Sequence, residues 1–146
     1  MFTFMCLYFT VTSVTLTITG DDRVLVYDGG ALLLDNWNWY HAHTVTLSRS
    51  PCVLAVYAID SGVQAGILAE TSTGVVTDAS WKCSTSPGLN WSRASFDDSA
   101  WSYARVIATN GDGRWSRISG ISTQAKWIWA DVTPATGNIY CRKRLC

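Results

Sequence analysis

The sequence predicts an all-β domain, and three observations predict it. Residues that favour helices are scarce, with one Glu, three Lys and two Gln in 146 residues. Residues that favour pleated strands are abundant, with 16 Thr, eight Trp and six Tyr. Short apolar runs alternate with polar residues and are punctuated by Gly, Pro, Asp and Asn. This pattern indicates a β-sandwich or barrel and excludes a helical bundle.

The length fits one domain. A hydrophobic content of 48% excludes bulk disorder. Eleven basic and eleven acidic residues leave a net charge of zero, which excludes a chain-wide electrostatic grip on nucleic acid.

The elements follow in order. Residues 1–13 are set apart as an apolar N-terminal strand, and 14–146 as the sandwich. Residues 2–19 carry no charge, and the first basic residue is Arg23. They lack the basic start and small-residue cleavage site of a signal peptide, and they hold too much Thr for a membrane span. A cleaved or truncated signal is the competing reading. Phe2, Phe4, Cys6 and Tyr8 would lie on one face of this strand and Met5, Leu7 and Phe9 on the other. Val14, Leu16 and Ile18 then alternate with Thr15, Thr17 and Thr19 as a half-buried strand. Gly20-Asp21-Asp22 turns the chain into a strand holding Val24 and Val26. Asp28-Gly29-Gly30 makes the next turn, into a short strand over 31–34. Further strands are expected over 43–47, 53–59, 65–70, 74–77, 125–130 and 137–142. The span 84–95 is a loop, and Asp97-Asp98-Ser99 could cap a helical turn before Trp101. Trp127 and Trp129, two apart, are expected on one face, in core or interface packing. The basic run Arg142-Lys143-Arg144 reads as a solvated tail.

Cysteines at 6, 52, 83, 141 and 146 show no CxxC spacing, so neither a zinc ribbon nor a thioredoxin-like motif is available. Disulfides in an oxidising compartment are the better reading, with an odd thiol left over. Asn90-Trp91-Ser92 is a glycosylation sequon and agrees with secretion.

Four strings carry a family resemblance. TITGDDRVLVYDGGALLLDNW at 17–37 resembles the opening hairpin of PA14-type and galactose-binding-like domains. VLAVYAIDSGVQAGIL at 53–68, TDASWKC at 77–83 with FDDSAW at 96–101, and AKWIWADVTPATGNIYC at 125–141 look like galactose-binding-like jelly rolls attached to glycoside hydrolases and lectins. The resemblance covers roughly 14–145 and implies a jelly-roll β-sandwich of the galactose-binding-like type. It speaks weakly for ligand, because sites are grafted on folds. It also implies a Cys83–Cys141 bridge on neighbouring strands. The pairing of Cys6, Cys52 and Cys146 stays open.

In PA14-type lectins an Asp-Asp pair like Asp21-Asp22 binds Ca²⁺ and, through it, sugar hydroxyls. The resemblance therefore implies a Ca²⁺ site at Asp21 and Asp22, with Asp35 and Asn36 as further ligands if the two loops meet. The competing reading is a pair that merely caps a turn. Trp39 and Tyr40 offer aromatic faces for sugar stacking, whereas Trp37 matches a position usually buried and is assigned to the core. His41 and His43 alone make a poor metal site. Asp97-Asp98 suggests the paired acids of glycoside hydrolysis, but adjacent carboxylates usually diverge, and a structural turn is expected. No phosphate loop, GxSxG or HExxH occurs.

These readings predict a secreted, non-enzymatic, lectin-like module with glycans as partners. The alternative is a structural subunit that assembles into a homo-oligomeric extracellular filament, its doubly apolar N-terminal strand completing a neighbour's sheet.

Overall fold

The computed structural model describes residues 13–146; the expected strand Phe2–Phe9, Cys6 and the strand exchange built on them lie outside the described residues. Eleven strands follow in order: β1 (Thr15–Asp21), β2 (Arg23–Asp28), β3 (Ala31–Asn36), β4 (His43–Thr46), β5 (Val53–Asp60), β6 (Gly66–Thr71), β7 (Lys82–Ser84), β8 (Ser102–Tyr103), β9 (Arg105–Thr109), β10 (Lys126–Trp129) and β11 (Gly137–Arg144). No helix occurs among the described residues.

The strands form two antiparallel sheets, one ordered β4-β1-β6-β10-β9 and the other β3-β2-β5-β11-β7-β8. Alternation in the sequence decides which side chains meet between them. Leu16 and Ile18 of β1, Ile67 and Ala69 of β6, Val24 and Val26 of β2, Val56 and Ala58 of β5, and Ile139 and Cys141 of β11 fill the space between the layers. Thr17, on the opposite face of β1, bonds the Thr44 hydroxyl of β4 at 2.9 Å. The molecule is thus the predicted jelly-roll β-sandwich.

A second, smaller core lies outside the sandwich. Trp115, Ile118 and Ile121 pack with Leu68 of β6 and Trp127 of β10. The segment 110–125 that carries them is tied down by the buried Asn110. Its amide donates to the carbonyls of Ile118 and Ile121 at 3.1 and 2.8 Å, and its carbonyl accepts the Ile118 amide at 2.8 Å.

The bridge Cys83–Cys141 joins the neighbouring strands β7 and β11, as the resemblance implied. A second bridge, Cys52–Cys146, ties the start of β5 to the chain after β11. They span 58 and 94 residues. In the chain-entropy model loops of this size stabilise by about 4 to 5 kcal/mol each.

Four local expectations are corrected. The run 74–77 forms only an isolated bridge, Val76 to Glu70, because the pairing is confined to Val75–Thr77: the Thr77 amide donates to the Ala69 carbonyl at 3.0 Å, and the Thr77 carbonyl then turns to accept the Lys126 amide at 2.8 Å. The Asp97-Asp98-Ser99 segment is a turn without a helix: Asp97 accepts the Ser99 amide at 2.9 Å and the Asp98 carbonyl accepts the Trp101 amide at 2.9 Å. Trp127 and Trp129 do not share a face. A register shift between Trp127 and Ile128 puts Trp127 in the outer core and Trp129 in the inner one. Finally, the basic run is strand β11, and Arg142 is fully buried.

That arginine sits under the loop 85–101, which crosses the outer face of the six-stranded sheet. Its guanidinium donates to the Arg93 carbonyl at 2.8 Å and the Phe96 carbonyl at 3.4 Å, and forms an ion pair with Asp98. The Phe96 ring lies 5.1 Å away. The loop has no strand ladder of its own here, so Arg142 supplies the donors that its carbonyls need.

Candidate functional site

The first site candidate forms where the chain leaves one sheet for the other. β1 ends at Asp21 and β2 begins at Arg23, so Asp21 and Asp22 span the rim of the sandwich. The peptide bond between them is cis. β5 ends beside them at Asp60, and the Asp22 amide donates to the Ile59 carbonyl at 2.9 Å. The three carboxylates of Asp21, Asp22 and Asp60 each place an oxygen within 4.8 Å of the others.

The three acids have different environments. Asp22 accepts the Ser61 amide at 2.9 Å and the Ser61 hydroxyl at 2.8 Å, and these donors hold its pKa below the usual carboxylate value. Asp21 is pushed up to about 6, chiefly by burial, with smaller contributions from Asp22 and Asp60. A single donor opposes this: the Trp115 indole at 2.9 Å. Asp60 is only 4% exposed, and neither carboxylate oxygen has a hydrogen-bond partner among the described residues. Burial raises its pKa. The Gly62 amide offsets part of the effect without reaching hydrogen-bonding geometry, and Asp22 adds to it.

The indole is positioned by close packing. Trp115 stacks on Trp127 with centroids 4.3 Å apart and planes at 17°. Both rings cover Gly66, the residue paired with Asp21 across β1 and β6. A Cβ at Gly66 would lie 2.7 Å from the Trp127 ring, so glycine is required there.

The sequence candidates fall into three groups. Asp21 and Asp22 are together, as expected. Trp39 packs against the outer core that holds Trp115, and Tyr40 stacks on Trp39 at 3.9 Å with its ring exposed. Their loop is pinned by Thr19, which shares the outer face of β1 with Asp21 and whose hydroxyl donates to the Trp39 carbonyl at 3.0 Å. Asp35 and Asn36 are engaged elsewhere. Asp35 forms a two-pronged ion pair with Arg23 at 2.8 and 2.6 Å, because Arg23 lies two residues from Leu25, the residue paired with Asp35, and so reaches it diagonally across the ladder. Asn36 turns onto the backbone of Asn38, donating to its carbonyl at 2.9 Å. The third acid is Asp60 instead. Trp37, assigned to the core by resemblance, is 62% exposed: it lies beyond the end of β3, with the Arg23 guanidinium 4.3 Å from its ring.

Asn90 of the sequon is exposed at a loop position with φ of 60°, while Ser92 is buried. Asp98 is committed to Arg142 and Asp97 to the Ser99 turn.

Sequence reasoning missed Asp60 and Trp115. Asp60 reads as a strand end before Ser61-Gly62. Trp115 lies 94 residues from Asp21, and nothing local announces their contact.

Three carboxylates around one point are hard oxygen donors of the kind Ca²⁺ takes. An unpaired buried carboxylate is costly, and a cation would remove the cost. The residues therefore fit a divalent cation, with Asp21, Asp22 and Asp60 as its holders.

No family model matches the chain. It is similar to an alpha-L-rhamnosidase of Streptomyces avermitilis, at 31% identity over 137 residues that cover 81% of this chain. The chain spans only 13% of the length of that relative. Among solved structures it is similar to Pleurotus ostreatus lectin in its apo form, with a TM-score of 0.48 and 22% identity over 73% of this chain and 35% of the other.

Proposed function

We propose that the chain is a non-catalytic carbohydrate-binding module that holds sugar hydroxyls through a Ca²⁺ ion at Asp21, Asp22 and Asp60. The convergence of three carboxylates, one of them buried and without a donor, carries this reading. Ca²⁺ takes roughly six to eight oxygen ligands, so three carboxylates leave positions open for water or sugar hydroxyls. The exposed Tyr40 ring, stacked on Trp39, offers an apolar face for sugar C–H groups. Similarity to an alpha-L-rhamnosidase makes L-rhamnose the first sugar to test. Two disulfides accord with an extracellular setting.

Calorimetric titration with L-rhamnose and rhamnose-bearing oligosaccharides tests the reading. Binding should appear in millimolar Ca²⁺ and vanish in EDTA and in Asp22→Ala. A melting temperature indifferent to both Ca²⁺ and EDTA would return Asp21-Asp22 to a turn-capping role.

A further inference from the structure

A cleft of the opposite charge to the acidic rim lies at the far end of β11. It encloses about 260 Å³, near the small end of the roughly 300–1,000 Å³ range of small-molecule sites. Lys82, Arg142, Lys143 and Arg144 line it, against one carboxylate, that of Asp98. Arg142 is directly opposite Lys82 across the β11–β7 ladder, which brings the cations together.

The charges are unequally answered. Asp98 is committed to Arg142, and Lys82 reaches its other oxygen only at 3.7 Å. Lys143 donates to the Ser80 hydroxyl at 2.7 Å and Arg144 to the Phe96 and Ala94 carbonyls at 2.8 and 3.3 Å. Neither has a carboxylate partner among the described residues. Two further acids stand near. Asp78 accepts from Ser80, and Asp97 from Ser99. Counting them, four positive charges face three negative ones, and the lining itself carries four against one. At the mouth, the Tyr103 ring is 65% exposed, with the Lys82 ammonium 5.4 Å from its centroid.

We propose that this cleft binds the anionic group of an acidic sugar, a uronate or a sulfate ester. The sugar ring lies on Tyr103 and its oxyanion meets Lys82 and Lys143. The arrangement joins an aromatic face to two ammonium groups lining one cleft, which a plain anion site does not need. The choice of a sugar rests on the carbohydrate-binding reading above; the positive cleft stands independently of it.

Binding of trigalacturonate and of a sulfated chondroitin tetrasaccharide, measured in EDTA at low ionic strength, tests the proposal. At least one should bind, weaken with added salt, and weaken roughly tenfold or more in Lys82→Gln/Lys143→Gln. Tyr103→Ala should weaken it as well, and melting curves check that the variants fold. No binding of either probe would overturn the proposal, as would undiminished binding by the double variant. Inorganic sulfate binding as tightly as the sugars would overturn the sugar assignment. EDTA removes the Asp21–Asp22–Asp60 site from the assay. Ca²⁺-dependent binding of neutral sugar by Lys82→Gln/Lys143→Gln then reports on that site alone, so the two readings fail separately.

Discussion

The Trp115 indole N–H donates to the Asp21 carboxylate at 2.9 Å, across 94 residues of chain. One contact thereby fastens the outer core to the acidic rim. Among the described residues it is also the only side-chain donor that Asp21 receives. Trp115→Phe deletes the donor together with the far edge of the indole that lies over Gly66. The variant should lose at least about 2 kcal/mol at pH 7.5, the usual worth of a hydrogen bond to a charged group, with the lost packing added to it. Urea denaturation measures it. An unchanged midpoint would mean that water replaces the indole without loss.

The titration of Asp21 gives stability a pH dependence of unusual sign. Its folded pKa is about 6, against 3.8 for the ordinary carboxylate. Between these values the unfolded chain releases the proton and the folded chain keeps it. The folded state therefore binds more protons, and this group's contribution falls as pH rises from about 4 through about 6. Asp22 has the ordinary sign: its stabilisation is present above the unfolded pKa and lost as pH falls below it. In EDTA, melting temperature should decline across pH 4–6.5, and Asp21→Asn should flatten that decline.

Asp60→Asn separates the cost of the buried charge from its use. Without metal, the variant should be more stable by roughly 1–2 kcal/mol, because an unpaired buried carboxylate is gone. In saturating Ca²⁺ the parent should gain about 2.7 kcal/mol at a hundredfold excess over the dissociation constant, and the variant should not. The order of the two melting temperatures should invert. Parallel behaviour in both buffers would sink the cation site.

Arg142→Ala takes from the buried Asp98 its close partner, leaving it only Lys82 at 3.7 Å, and frees the carbonyl of Arg93, while the Phe96 carbonyl keeps its bond from Arg144. Breaking a buried pair in this way costs about 3–5 kcal/mol. Hydrogen exchange should accelerate across 88–99 more than in β5 or β6. Uniform acceleration would mean that the arginine supports the whole sheet and not the loop in particular.

The two-sheet architecture was legible in the sequence because a sandwich face needs a period of two. Leu16/Ile18, Val24/Val26 and Val56/Ala58 display it openly. The Cys83–Cys141 pair and the Asp21-Asp22 rim followed from resemblance in the strings that carry them. The proposed cation site was half legible. A local string can show that two acids are adjacent, and its neighbours Asp35 and Asn36 seemed the natural partners. Whether those reach the rim depends on where Arg23 points, and it points at Asp35.

What only the tertiary structure decided lies at long range or hangs on a one-residue shift. Asp60 joins Asp22 because β5 runs beside β2 and ends at the same rim. Trp115 reaches Asp21 because the segment 110–125 folds back over β6. The bulge after Trp127 sends it and Trp129 to different cores, and no periodicity announces a bulge. Arg142 looks like a solvated cation in sequence and is buried in the fold, because a loop some 50 residues upstream brings Asp98 and two carbonyls to it. Local alternation follows from the chain alone, since each side chain's face is set by its immediate neighbours. Partnership between distant polar groups is set by packing, which the sequence encodes only as a whole.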